Sequence, residues 1–133
     1  METQKSNFKI LMVEDDTFLS DLLTKTLRKD GFDVVLTMDC QKGLDLAKSE
    51  KPHLILVDYI LPGMSGADMV VRLKSDPELA AIPVIMLSNV GNKDEVRRVL
   101  SLGVKRFLVK YDTSLKKIGE EIMEVLNFKP RAD

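Results

Sequence analysis

Glu14, Asp15, Asp16, Asp58, Ser88 and Lys110 are the side chains whose types and positions could do chemistry together. Each stands at the end of a short apolar run. Ile10-Leu11-Met12-Val13 precedes the acidic triplet, Leu54-Ile55-Leu56-Val57 precedes Asp58, Val84-Ile85-Met86-Leu87 precedes Ser88, and Phe107-Leu108-Val109 precedes Lys110. One acid after a strand is ordinarily a helix cap or a solvated loop residue, so no member means much alone. Their recurrence at successive run ends is what points to a site.

Electrostatics says what such a site must contain. Two carboxylates about 4 Å apart repel by about 4 kcal/mol at an effective dielectric of about 20. A cluster of them stays ionised at neutral pH only beside a cation. Hard oxygen ligands near open solvent suit Mg²⁺, which keeps several of its waters, with Mn²⁺ as a substitute. A carboxylate next to that ion, a lysine and a hydroxyl is equipped to accept a phosphoryl group. Zinc chemistry is not indicated, because Cys40 and His53 are each the single residue of their type. Cys40 reads as a partly buried small residue, and His53 as a solvated one on the side away from the acids.

The elements that must position these groups alternate five times between short apolar strands and longer amphipathic helices. Strands are expected at Phe8 to Val13, Asp33 to Thr37, Leu54 to Val57, Pro83 to Leu87 and Arg106 to Val109. The first helix is expected from Thr17 to Lys29, with Phe18, Leu19, Leu22, Leu23 and Leu27 recurring at helical spacing. Asp16 or Thr17 can cap it and Gly31 can end it. Further helices are expected at Gln41 to Ser49, from the turn-rich stretch that ends at Gly66 to about Lys74, at Lys93 to Leu102, and from about Ser114 to Asn127. Five such units imply a doubly wound parallel sheet, a flavodoxin-like (βα)5 domain with strand order 2-1-3-4-5. In that order the first and third strands are neighbours where the winding reverses, and ligands bind at their carboxyl ends. The acids lie there. The expected domain covers residues 8–127, with short polar tails at 1–7 and 128–133.

Composition limits the alternatives. Twenty lysines and arginines against 21 acids leave a net charge of -1, which gives no reason to expect nucleic acid or an anionic membrane as partner. No apolar run approaches the roughly 18 residues a membrane span needs, and Met1 to Lys9 lacks the apolar stretch of a signal peptide. A lone cysteine fits a reducing, cytoplasmic compartment. No GxxxxGK[ST] phosphate loop occurs. Asp58-Tyr59-Ile60 also lacks the second acid of an aspartate-nucleophile phosphatase.

With these stretches, together with Leu61-Pro62-Gly63-Met64-Ser65-Gly66, the chain resembles the receiver domain of two-component response regulators, of the chemotaxis-regulator kind, from about Lys9 to Leu126. The resemblance implies a signalling phosphoacceptor that catalyses only its own phosphorylation and dephosphorylation. It makes Asp58 the phosphoacceptor, and Asp15, Asp58 and the Ile60 backbone carbonyl metal ligands, with Glu14 acting through a metal-bound water. Asp16 becomes peripheral. Ser88 becomes the switch hydroxyl, Lys110 the phosphate-binding lysine and Phe107 the switch aromatic. The implied donor is a sensor histidine kinase or a histidine phosphotransfer protein. The implied output is a protein target, or a second copy of the chain, on the face of the fourth helix, fifth strand and fifth helix.

Departures from the family pattern are Tyr111 where proline usually follows the lysine, Asn89 in place of a small residue, Gly43 in the second helix, and the basic pair Lys105-Arg106. Arg97-Arg98 with that pair reads as a solvated face. Ile60, Asn89 and Val90 flank the path of an attacking water, and their side chains are expected to prolong the phosphorylated state. Asn127 is followed by six residues, so the sequence fits either a stand-alone regulator or a receiver taken from a longer chain. The competing reading is a binding scaffold that needs no phosphorylation.

Overall fold

Leu54, Ile55, Leu56 and Val57 are all completely buried, as a parallel strand covered on both faces must be. The computed structural model describes residues 8–89 and 91–128. Its elements run β1 (Lys9–Val13), α1 (Thr17–Lys29), β2 (Asp33–Thr37), α2 (Cys40–Glu50), β3 (Leu54–Asp58), α3 (Gly66–Ser75), β4 (Val84–Ser88), α4 (Lys93–Ser101), β5 (Arg106–Val109) and α5 (Leu115–Leu126). A short 3₁₀ turn, Lys110–Asp112, joins β5 to α5. The strands form one parallel sheet in the order β2-β1-β3-β4-β5. The expected flavodoxin-like architecture is the observed one.

Side chains alternate across that sheet and divide the core in two. Leu11, Val13, Ile55, Val57, Val84 and Met86 meet Cys40 and Ala47 of α2, Met69, Val70 and Leu73 of α3, and Val99 of α4. Ile10, Met12, Leu54, Leu56, Ile85 and Leu87 meet Leu23 and Leu27 of α1 and Ile118 and Ile122 of α5. Burying each large aliphatic side chain stabilises by about 1.5–3 kcal/mol, which outweighs any helix-propensity difference along these segments.

Among the described residues each α-helix starts on a side-chain cap. Asp16, Asp39, Ser65, Asn92 and Ser114 accept backbone N–H groups at the starts of α1 to α5 in turn. Such a cap contributes about 1 kcal/mol. Because each helix follows a strand, all five N-termini lie toward the carboxyl edge of the sheet, where their partial positive charge favours anions. Register brings the reactive residues to that edge: Val13 pairs Val57, Asp58 pairs Leu87, and Ser88 pairs Val109.

Several local expectations are corrected. Pro83 precedes β4 rather than opening it, and its carbonyl accepts the Ile55 N–H at 3.0 Å. The second helix starts at Cys40 and ends on Lys51, which is left-handed at φ 49° without being glycine or asparagine. Two of the five apolar residues of α1 point outward, Phe18 at 75% exposure and Leu22 at 36%. Cys40 is fully rather than partly buried. Among the described residues no peptide bond is cis, and no helix is long and apolar enough to cross a membrane.

Candidate functional site

Asp58 ends β3, the strand with neighbours on both sides in the middle of the sheet, and is 5% exposed. The Lys110 ammonium reaches it from the end of β5, with Nζ 2.9 Å from Asp58 Oδ2. The same nitrogen donates to Glu14 Oε2 at 3.1 Å. Glu14 is 1% exposed and its Oε2 also accepts the Asp16 N–H at 3.0 Å. One ammonium is thus shared by two buried carboxylates, and a third, Asp15, stands exposed beside them. Ligand atoms of Glu14, Asp15 and Asp58 lie within 4.8 Å of one another.

The charges do not balance. Three carboxylates and one lysine leave the cluster with an excess of negative charge when all are ionised. Burial first, and then the neighbouring Asp58 carboxylate, pushes the Glu14 carboxyl up to about 7, against the pull of the Asp16 N–H and Lys110. Burial alone would lower Lys110, but its hydrogen bonds to Asp58 and Glu14 outweigh that and hold it above its ordinary value. Both Glu14 oxygens lie close to the Lys110 ammonium, Oε1 at 3.0 Å and Oε2 at 3.1 Å from Nζ, so one buried carboxylate is ion-paired to the lysine that also holds Asp58. Three converging carboxylates with all-oxygen donors, one of them exposed, fit a small hard dication, which would supply the missing positive charge.

The remaining sequence-derived residues fall around this cluster. Ser88 is completely buried at the end of β4. The Ile60 N–H donates to Asp58 Oδ1 at 3.3 Å while its side chain is 63% exposed. Asn89 is exposed, and Val90 lies outside the described residues. Phe107 is half-buried against the α2–α3–α4 side of the core. Asp16 points the other way, capping α1 with Oδ1 3.1 Å from the Leu19 N–H. His53 is exposed on the far side, as expected, but it is not merely solvated. Its Nδ1 accepts the Lys9 N–H at 3.0 Å, and its ring stands edge-on to Phe8. The basic pairs are not simply a solvated face either: Arg106 Nε holds Glu121 at 3.1 Å and Arg98 donates to the Tyr59 hydroxyl. Tyr59 went unnoticed in the sequence, where a tyrosine beside an acid carries no signal.

A five-stranded doubly wound sheet with an acidic cluster and a lysine at its switch point defines a class, and the comparisons agree. Residues 10–121 match the response regulator receiver domain, and the chain belongs to that family. It is 35% identical over 102 residues to the phosphate regulon transcriptional regulatory protein PhoB of Rhizobium meliloti, covering 77% of this chain and 45% of that protein. It is 33% identical over 110 residues to the DNA-binding response regulator MtrA of Mycobacterium tuberculosis, covering 83% and 46%. The chain therefore spans about half the length of the curated relatives it matches. A response regulator from Desulfuromonas acetoxidans superposes with a TM-score of 0.82 at 28% identity, covering 90% of this chain and 97% of that one. The BeF3-activated N-terminal receiver domain of Klebsiella pneumoniae RstA gives 0.81 at 25% identity, covering 89% and 97%.

Proposed function

We propose that this receiver takes a phosphoryl group onto Asp58 from the phosphohistidine of a kinase or phosphotransfer protein in the cytoplasm. The observation that carries the reading is Lys110 Nζ, 2.9 Å from a buried Asp58 carboxylate within a three-carboxylate cluster. An Asp58 carboxylate oxygen attacks phosphorus, the phosphorus–nitrogen bond of the donor breaks, and the leaving imidazole takes a proton. Lys110 neutralises charge on the transferring group, and Ser88 donates a hydrogen bond to it. Mg²⁺ held by Asp15, Asp58 and the Ile60 carbonyl, with Glu14 through water, would supply the remaining positive charge.

The receiver unit is proposed to occupy 8–127. Its output is proposed to leave through the α4–β5–α5 face, where Phe107 responds to Ser88, toward a protein target or a second copy of the chain. Ile60, exposed beside Asp58, shields the acyl phosphate from water rather than orienting one, and Asn89 and Val90 assist.

The test is labelling by a small phosphodonor with Mg²⁺ present. The wild type is expected to gain one acid-stable, base-labile phosphoryl group and Asp58→Asn none. Equal labelling of the two would move the site elsewhere. No labelling of either would favour the scaffold reading.

A further inference from the structure

Tyr59 follows the phosphoacceptor directly, and its backbone has no slack. Its N–H donates to the Leu87 carbonyl at 2.8 Å, next to Ser88, and its own carbonyl accepts the Gly66 N–H at 2.8 Å at the start of α3. A Cβ on Gly66 would come within 3.0 Å of Tyr59 Cα, so α3 presses closely on this segment. The Tyr59 ring packs against the core that includes Val99 of α4. Its hydroxyl accepts a hydrogen bond from Arg98 Nη2 at 3.4 Å, in the last turn of α4. Arg98 adjoins Val99, which is completely buried, so its helix face is fixed by the core.

We propose that the Tyr59–Arg98 hydrogen bond is a link between the phosphoacceptor strand and α4, independent of the Ser88–Phe107 pair. A rearrangement of the β3 and β4 ends on modification of Asp58 must displace Tyr59, because its backbone is bonded to β4 and α3. The side chain then carries that displacement to the C-terminal turn of α4, while Phe107 carries its own to β5. The link makes Tyr59 and Arg98 positioning residues for the output helix, and it rests on Asp58 being the acceptor. An exposed hydrogen bond with a charged donor is modest, so its loss is expected to change the coupling by about threefold rather than abolish it.

The experiment follows backbone amide shifts of the full chain, with Mg²⁺, on saturation with beryllofluoride as a phosphoryl analogue. In the wild type both α4 (Lys93–Ser101) and β5 (Arg106–Val109) are expected to shift. In Tyr59→Phe and in Arg98→Gln the α4 changes are expected to shrink about threefold, with β5 retained. The double variant is expected to match either single one. Unchanged α4 shifts, loss in α4 and β5 together, or additive single effects would each overturn the link. Silence throughout the wild type would instead count against the acceptor site itself, and the link falls with it.

Discussion

Asp15 and Asp16 are chemically identical neighbours with different jobs, and their surroundings decide which does what. Asp16 Oδ1 caps α1 through the Leu19 N–H, so its carboxylate is turned into the helix. Asp15 has an oxygen within 4.8 Å of ligand atoms of Glu14 and Asp58. Asp16→Ala is therefore expected to cost about 1 kcal/mol, lowering Tm by about 4 °C with Mg²⁺ affinity little changed. Asp15→Ala is expected to weaken Mg²⁺ by about tenfold or more. Without metal it should leave stability equal or higher, since a like charge is removed. Calorimetric titration and thermal unfolding of both variants check this, and a larger metal defect in Asp16→Ala would reverse the assignment. The sequence could place the triplet at a strand end but could offer only Asp16 or Thr17 as the cap. The cap geometry makes that choice.

At the scale of elements, strands and the first two helix caps were legible because their signals are local. Apolar runs bounded by turn residues mark strands, and Asp16 or Thr17, then Asp39, ahead of helical periodicity mark those caps, whereas the capping roles of Ser65, Asn92 and Ser114 emerge only in the fold. Close approach between distant elements leaves no local signal, and the glycines show it. Gly43 reads as a helix-weakening departure from alanine. In the fold a Cβ there would sit 3.0 Å from Met69 Cε and 3.0 Å from Val13 Cγ2, so α2 lies close on β1 and α3. Gly66 is tighter still, since a Cβ would overlap the Asp58 carbonyl oxygen itself. Gly43→Ala is expected to be nearly neutral, a propensity gain of up to about 1 kcal/mol offset by crowding that the flexible Met69 end can relieve but the buried, stiff Val13 cannot. Gly66→Ala meets backbone that cannot yield and is expected to cost about 2–3 kcal/mol. It should also slow phosphorylation by displacing Asp58. Urea unfolding orders the two variants, and equal effects would contradict the packing. The outward Phe18 was illegible for a related reason: apolar spacing shows a helix but not which apolar residues its neighbours cover.

The whole molecule offers one thiol as a reporter of its stability. Cys40 opens α2 yet is 1% exposed, its Sγ directed at the Met64 carbonyl at 3.4 Å. Burial first, with Asp39, Asp68 and Asp58 nearby, pushes the thiol up to about 11. In the unfolded chain a cysteine titrates at about 8.5. The folded value is the higher one, so the native state holds its proton more tightly. That contribution to stability is complete below about pH 8.5 and declines as pH rises toward about 11, by about 1.4 kcal/mol per unit. Lysines and tyrosines also begin to titrate in that range, so the comparison must be against a variant lacking only the thiol. Cys40→Ala is expected to be less stable than wild type at pH 7.5, because it removes a well-packed core atom. The gap is expected to narrow by about 2 kcal/mol by pH 10, since only the wild type loses the thiol contribution. Denaturant unfolding of both proteins from pH 7.5 to 10 reads it directly. A gap that stays constant would mean that the folded thiol is not held above its unfolded value.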